Sequence, residues 1–228
     1  MKKKITIAVI ALAVVLSFVV GGTLAWLVDS TNQVKNTFTY GDINIDLWEH
    51  PIGNDGYTLN TTAEIVRGEQ TGFKMIPGNT IDKDPTVTVK GGSEASWLFI
   101  EVTESINFDE FLCYAIADGW TLYDETITGA NINTVEKDTY VIYRAVAATE
   151  NDMDFNILDS GTYTEGSNTY AWSAKEVFVR SSVNKEMLNV DDFIKPTLTF
   201  TAYAVQKDTN IDTVAKAWAI AKLDSATN

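Results

Sequence analysis

The side chains able to do chemistry are few. His50 is the sole histidine and Cys113 the sole cysteine among 228 residues. A zinc hydrolase usually draws at least two of its ligands from His and Cys and keeps one position open for water, so a His-Glu-x-x-His site cannot be assembled. A Ser-His-Asp triad would also have to use His50, and no Gly-x-Ser-x-Gly elbow is present. Glu49-His50 before Pro51 reads instead as the polar end of a strand. Cys113 sits beside the apolar stripe of a short helix and reads as a small core hydrophobe. Without a second histidine, no neighbour in sequence marks it as a nucleophile. Asp82 with Asp84, and Asp191 with Asp192, are acidic pairs that could meet calcium. Neither lies in an Asp-x-Asp-x-Asp-Gly loop, and a solvated face is the plainer reading of both. Gly91-Gly92 lacks the Lys-Ser/Thr that follows a phosphate-cradling glycine loop. The residues thus predict no catalytic group, no metal and no cofactor.

The N-terminus carries targeting information. Met1-Lys2-Lys3-Lys4 is basic, and Ile5 to Val20 is apolar except for Thr6 and Ser17. The apolar run is shorter than the roughly 20 residues a spanning helix needs, and Thr23-Leu24-Ala25 offers small residues for cleavage. This is a secretory signal peptide, residues 1–25, with the cut between Ala25 and Trp26. Contact with the membrane is then confined to export. Loss of Lys2, Lys3 and Lys4 takes the formal charge from −14 to −17. Such a chain repels phosphate backbones, which excludes nucleic acid as a partner. A single thiol forms no internal disulfide, so stability outside the cell must come from the core.

The elements that would build that core are mostly strands. Ile43, Ile45 and Leu47 alternate with Asp42, Asn44 and Asp46, the period of a strand with one buried face. His50–Gly56 has turn chemistry, and residues 60–76 carry no clean period. Pro85 opens a strand at Thr86–Lys90, and in Trp97–Val102 the residues Leu98, Ile100 and Val102 share a face. A helix is predicted from Phe108, capped by Asn107, with a stripe of Phe108, Phe111, Leu112 and Ala115 and an end at Gly119. Trp120–Tyr123 and Thr139–Val146 read as strands joined by the polar segment 124–138. Phe155–Leu158 is a weak apolar patch, Gly161–Ser167 a loop, Glu176–Arg180 a strand, and Met187–Phe193 a short helical piece. Pro196–Gln206 is the longest strand, with Leu198, Phe200, Ala202 and Ala204 opposite Thr197, Thr199, Thr201 and Tyr203. A last helix, Ile211–Leu223, is predicted with Asn210 as cap and Val214, Ala217, Trp218 and Ala221 as its apolar stripe. Many short strands with few helices indicate an all-β antiparallel sandwich. Trp97, Trp120, Trp172 and Trp218 are expected in its core; on the surface they would form a sugar platform.

Three stretches carry a family resemblance. The first is Gly21-Gly22-Thr23, Trp26 at the cut, Asp29, Asn36-x-Phe38-Thr39-x-Gly41, then Ile43-x-Ile45-x-Leu47. The second is Pro77-Gly78 leading to Lys83-Asp84-Pro85-x-Val87. The third is Thr201-Ala202-Tyr203-Ala204-Val205-Gln206 followed by Ala217-Trp218-Ala219. Together they resemble the SipW-dependent secreted proteins, the TasA/camelysin family of biofilm-matrix fibre subunits. The resemblance implies a jelly-roll-like β-sandwich at 41–228, processing by a SipW-type signal peptidase, and a free arm at 26–40.

The arm bears Trp26, Leu27, Val28, Val34 and Phe38 among polar residues, apolar groups it cannot bury alone. Added to the open edge of the next subunit, it would polymerise the chain head to tail. The expected partners are other copies of the chain, and possible further ones are matrix proteins or polysaccharide; the expected location is the extracellular matrix or surface of a bacterium. Two rivals stand beside this reading. One is a monomeric sandwich that binds surface glycan or peptide. The other is a secreted protease, because the camelysin branch is regarded as metalloprotease-like.

Overall fold

The computed structural model describes residues 28–31, 43–123, 139–188 and 193–225. Its largest unit is an antiparallel five-stranded sheet. In spatial order this runs β1 (Val28–Thr31), β15 (Leu198–Gln206), β5 (Ser96–Glu104), β9 (Thr139–Val146) and β8 (Thr121–Tyr123). A three-stranded sheet places β4 (Thr86–Val89) between β2 (Ile45–Trp48) and β10 (Met153–Asn156). A second three-stranded sheet places β14 (Glu176–Val179) between β3 (Thr80–Asp82) and β6 (Leu112–Cys113). Two strand pairs complete it: β7 (Ala115–Ile116) with β11 (Leu158–Asp159), and β12 (Gly161–Glu165) with β13 (Asn168–Trp172). The described helices are α1 (Phe108–Phe111), α2 (Lys185–Leu188) and α3 (Val214–Ser225).

Alternation along the strands makes the core. Leu98, Ile100 and Val102 of β5, Ile142 of β9 and Ala202 and Ala204 of β15 meet Ile45, Val87 and Val89 of the facing sheet in one buried cluster. The sandwich is therefore all-β, as the strand periods predict. The five-stranded sheet is buried on its other face as well. Phe99, Val141, Tyr203 and Val205 point outward and are covered by Ile211, Ala217, Trp218 and Ala221. This explains why Ala202–Val205 is an unbroken buried run: α3 removes the polar half of the alternation, as parallel-type double coverage does.

Three expectations are corrected. The helix predicted from Phe108 stops at Phe111. Leu112 and Cys113 leave it to pair with Val179 and Phe178, and Ala115 and Ile116 pair with Asp159 and Leu158. Phe108, Phe111, Leu112 and Ala115 are all buried, so the helical spacing was real but ladder bonds to two neighbouring strands displaced the helix. Asn107 gives no side-chain cap; its Nδ2 donates to the Ile194 carbonyl instead.

The segment predicted as a loop at Gly161–Ser167 is a hairpin strand. Its two-residue turn is Gly166-Ser167, with Gly166 at φ +62, the conformation tight hairpin turns demand. Finally, α3 begins at Val214 and not at Ile211. The Asp208 carboxylate accepts the N–H groups of Asn210 and Ile211, forming a turn ahead of the helix, and Thr213 Oγ1 accepts the Lys216 N–H as the cap.

Candidate functional site

The described part of the predicted arm is β1, which begins at Val28. Its backbone lies antiparallel along β15, pairing Val28 with Val205, Asp29 with Ala204, Ser30 with Tyr203 and Thr31 with Ala202. It neighbours α3 and β2. Thr23, Ala25, Trp26, Leu27, Val34 and Phe38 lie outside the described residues, as do Asp191 and Asp192.

β1 covers only part of the β15 edge. Leu198–Thr201 pairs with Glu104–Glu101 of β5 on one side; among the described residues no strand pairs with it on the other. That bare edge borders a groove of about 1470 Å³ whose walls include Leu47, Phe73, Met75, Phe193, Leu198 and Phe200. Across the groove lies β2, the outer strand of its sheet. It is covered there by an irregular strap at 66–75, not by a strand. The strap is fastened by a two-way Glu49–Val66 backbone bridge, by Arg67 donating from Nε and Nη2 to Asp46 at 2.6 and 2.8 Å, and by Gln70. The Gln70 amide donates to the His50 carbonyl at 3.1 Å and accepts the Ile52 N–H at 3.0 Å.

One ion pair is set into the groove. Lys83 Nζ stands 2.8 Å from Glu49 Oε2, each side chain 13% exposed. The ammonium lies 5.3 Å from the Phe73 ring centroid and 6.0 Å from that of Phe200. A charge this desolvated needs its partner, so the two residues neutralise each other and leave the groove apolar in effect. The sequence reading did not find Phe73, Lys83, Phe193 or Phe200 as groove residues. They lie in three distant stretches, two of them without a period.

The chemistry-bearing residues are used structurally. His50 Nδ1 is 2.7 Å from Asp84 Oδ2, and the His50 N–H donates to Asp84 Oδ1 at 2.9 Å. The Asp84 carboxylate is 4% exposed. His50 also meets the Trp48 ring edge-on at 5.3 Å. Asp82 is used elsewhere: its Oδ2 accepts the Leu59 N–H, so the Asp82–Asp84 pair does not converge. Cys113 is a strand residue, not a helix neighbour, and its Sγ accepts the Arg180 Nε–H at 3.3 Å. Burial pushes its thiol up, against the opposing pull of Arg180, which keeps it protonated and unreactive. Among the described residues no group of three or more His, Cys, Asp or Glu is placed to hold an ion. Trp120, Trp172 and Trp218 are buried and Trp97 is half-buried. No helix of the described residues is long and apolar enough to cross a membrane.

The fold and edge define a β-sandwich whose N-terminal strand is an addition to one sheet margin. The family model described as camelysin metallo-endopeptidase matches residues 1–54, so the N-terminal stretch of the chain is similar to that family. The match ends before the other two stretches of resemblance. No curated protein and no solved structure matches the chain.

The family's name implies a catalytic metal, and the donors can be tested for it. Within the matched stretch Asp46 binds Arg67, Glu49 binds Lys83 and His50 binds Asp84. The other two members of the usual zinc donor set, a second histidine and a second cysteine, do not exist in the chain. These residues do not fit a peptidase metal, and no catalytic step follows from them.

Proposed function

We propose that the chain is a secreted structural subunit of extracellular fibres, assembled head to tail by its N-terminal arm, and that it is not an enzyme. A SipW-type signal peptidase cuts after Ala25 and frees Trp26. The released arm then adds to the sandwich edge of a neighbouring copy. The observation that carries this reading is the β15 margin. A four-residue strand already occupies half of it, no described strand pairs with the other half, and a groove lined by apolar side chains runs beside it. Main-chain pairing satisfies the bare N–H and C=O groups, and the groove receives alternate side chains such as Val34 and Phe38. Before export the signal peptide holds the arm back, which keeps filaments out of the cytoplasm. The filament would lie in the bacterial matrix, where other matrix proteins or polysaccharide are further partners.

Deletion of residues 26–38 tests the mechanism. The truncated chain should keep its circular dichroism spectrum and stay monomeric, and a 26–38 peptide should bind it. Filaments indistinguishable from those of the intact protein would end the proposal. The protease reading is kept alive by the family's name. Its test is proteolysis that copurifies with the chain and disappears in His50→Ala; such activity would overturn the non-enzymatic reading. Processing has its own check: Ala25→Asp should block cleavage, because the pocket before the cut admits only small residues.

A further inference from the structure

Three side-chain atoms among the described residues are buried without a hydrogen-bond partner: Ser96 Oγ, Asn107 Oδ1 and Arg144 Nε. Only the last belongs to a charged group. Arg144 lies on β9, opposite Leu98 of β5. The same register places Ala204 beyond Leu98. Arg144 therefore ends a row of core residues and points into the sandwich with Tyr140, Ile142 and Val146. Its guanidinium carbon lies 4.1 Å from the Phe155 ring centroid and 5.3 Å from that of Trp120. Phe155 belongs to β10, in the facing sheet, and Trp120 precedes β8. The Trp120 Nε1–H donates to the Asn156 carbonyl, tying the two margins together. Gly119 takes φ +87, and a Cβ there would stand 3.0 Å from Arg144 Nη2, so the turn is shaped around the guanidinium. Burial pushes this group below the usual arginine range.

The sandwich thus has two margins of opposite character. At the β15 and β2 margin Lys83 is paired with Glu49 and Arg67 with Asp46, and apolar side chains such as Leu47, Phe73 and Phe200 line the groove. At the β8 and β10 margin, where each strand is the last of its sheet among the described residues, Arg144 faces inward with its Nε unbonded and no acidic partner among those residues. We infer that Arg144 is a gatekeeper that makes the β8 and β10 margin unreceptive to strands of other copies, so that assembly is confined to the β15 and β2 margin. Arg144 lies on β9 just past the stretch that β8 pairs with, and inward-pointing charge near a sheet edge is a known bar to edge-to-edge pairing. An incoming strand would seal the guanidinium from water with no counter-charge, a cost that apolar residues would not impose. Only the filament readout below rests on the proposed function.

The secreted chain is compared with Arg144→Met and Arg144→Lys by sedimentation velocity over a concentration series and by electron microscopy. Arg144→Met should associate through a second contact at about tenfold lower concentration than the wild type, with filaments bundled side by side. Arg144→Lys should keep wild-type behaviour. Circular dichroism checks that the Met variant is folded, and Arg144→Leu replaces it if it is not. Unchanged sedimentation and unbundled filaments in a folded apolar variant would overturn the inference. So would a Trp120 indole N–H resonance that moves with millimolar acetate in the wild type and not in Arg144→Met, because the guanidinium would then be a carboxylate receptor. If the wild type makes no filaments, the proposed function fails; a dimer seen only with the Met variant would still support the gatekeeper.

Discussion

Trp218 offers the clearest measure of how the arm's platform is held. It is the largest residue on the inner stripe of α3 and only 8% exposed. Its ring meets Phe99 at 5.1 Å, Tyr203 at 5.5 Å and Tyr123 at 6.1 Å, centroid to centroid. Those partners belong to β5, β15 and β8, so one side chain fastens the helix to three strands. Trp218→Ala removes this ring from a site lined by other large rings that cannot collapse into the space. A buried Trp→Ala change costs about 3–5 kcal/mol. At about 2–4 °C per kcal/mol for a chain of this size, the melting midpoint should fall by about 6–20 °C. Thermal unfolding followed by circular dichroism reads this directly. Because α3 also adjoins β1, protease sensitivity near residue 28 should rise in the same variant. A midpoint within about 2 °C of wild type, roughly 1 kcal/mol or less, would mean that α3 does not dock as described and that β15 is not covered on its outer face.

Other outcomes can be stated briefly. A Cβ on Gly161 would stand 2.3 Å from Trp172 Cζ2, so Gly161→Ala should dislodge the buried indole and cost about 1–3 kcal/mol; unchanged tryptophan fluorescence and stability would refute this. Asp84→Ala strands the His50 N–H and ring at a nearly buried position and should cost about 1–3 kcal/mol, which urea unfolding measures. At alkaline pH the tyrosines decide. Burial, with a smaller push from Glu101, holds Tyr203 up to about 12, and burial likewise raises Tyr114 and Tyr140. The fold favours the neutral phenols, so the Tyr203 contribution is complete below pH about 10 and is lost as pH rises through about 12, while those of Tyr114 and Tyr140 persist to higher pH. Melting midpoints should fall over that interval, less steeply in Tyr203→Phe; a flat profile would show that the phenols are solvated.

What was legible in the sequence was whatever a single local period controls. Ile43, Ile45 and Leu47, the Trp97–Val102 face and the Val214–Trp218–Ala221 stripe all lie where their alternation placed them. The failures have a common physical source. Phe108, Phe111, Leu112 and Ala115 match a helix in spacing, yet their backbone groups found ladder partners on β14 and β11, which lie more than 40 positions further along the chain. The β12–β13 hairpin was hidden because Thr162, Thr164, Thr169 and Ala171 alternate with Tyr163, Tyr170 and Trp172, whose apolar target, Phe178, comes later. Ahead of α3, Asp208 holds the Asn210 and Ile211 N–H groups in a turn and Thr213 takes the cap, and spacing alone does not rank such competing side chains.

The site was legible only in outline, because it is made of edges. Composition marks Val28 as part of a predicted arm; that its partner is Val205 could not be read, since register is fixed between strands far apart in sequence. The same holds for the contrast between the two margins. Lys83 and Arg144 look alike as isolated cations in a strongly acidic chain. Folding sets each over two aromatic rings, but gives only Lys83 an acid among the described residues, Glu49 at 2.8 Å. Pairing makes the first margin a place where apolar side chains can be buried without stranding a charge. Its absence makes the second a place where they cannot. In the proposed filament a sandwich with two receptive margins would branch, so directional growth would depend on the different neighbours that the fold gives Lys83 and Arg144.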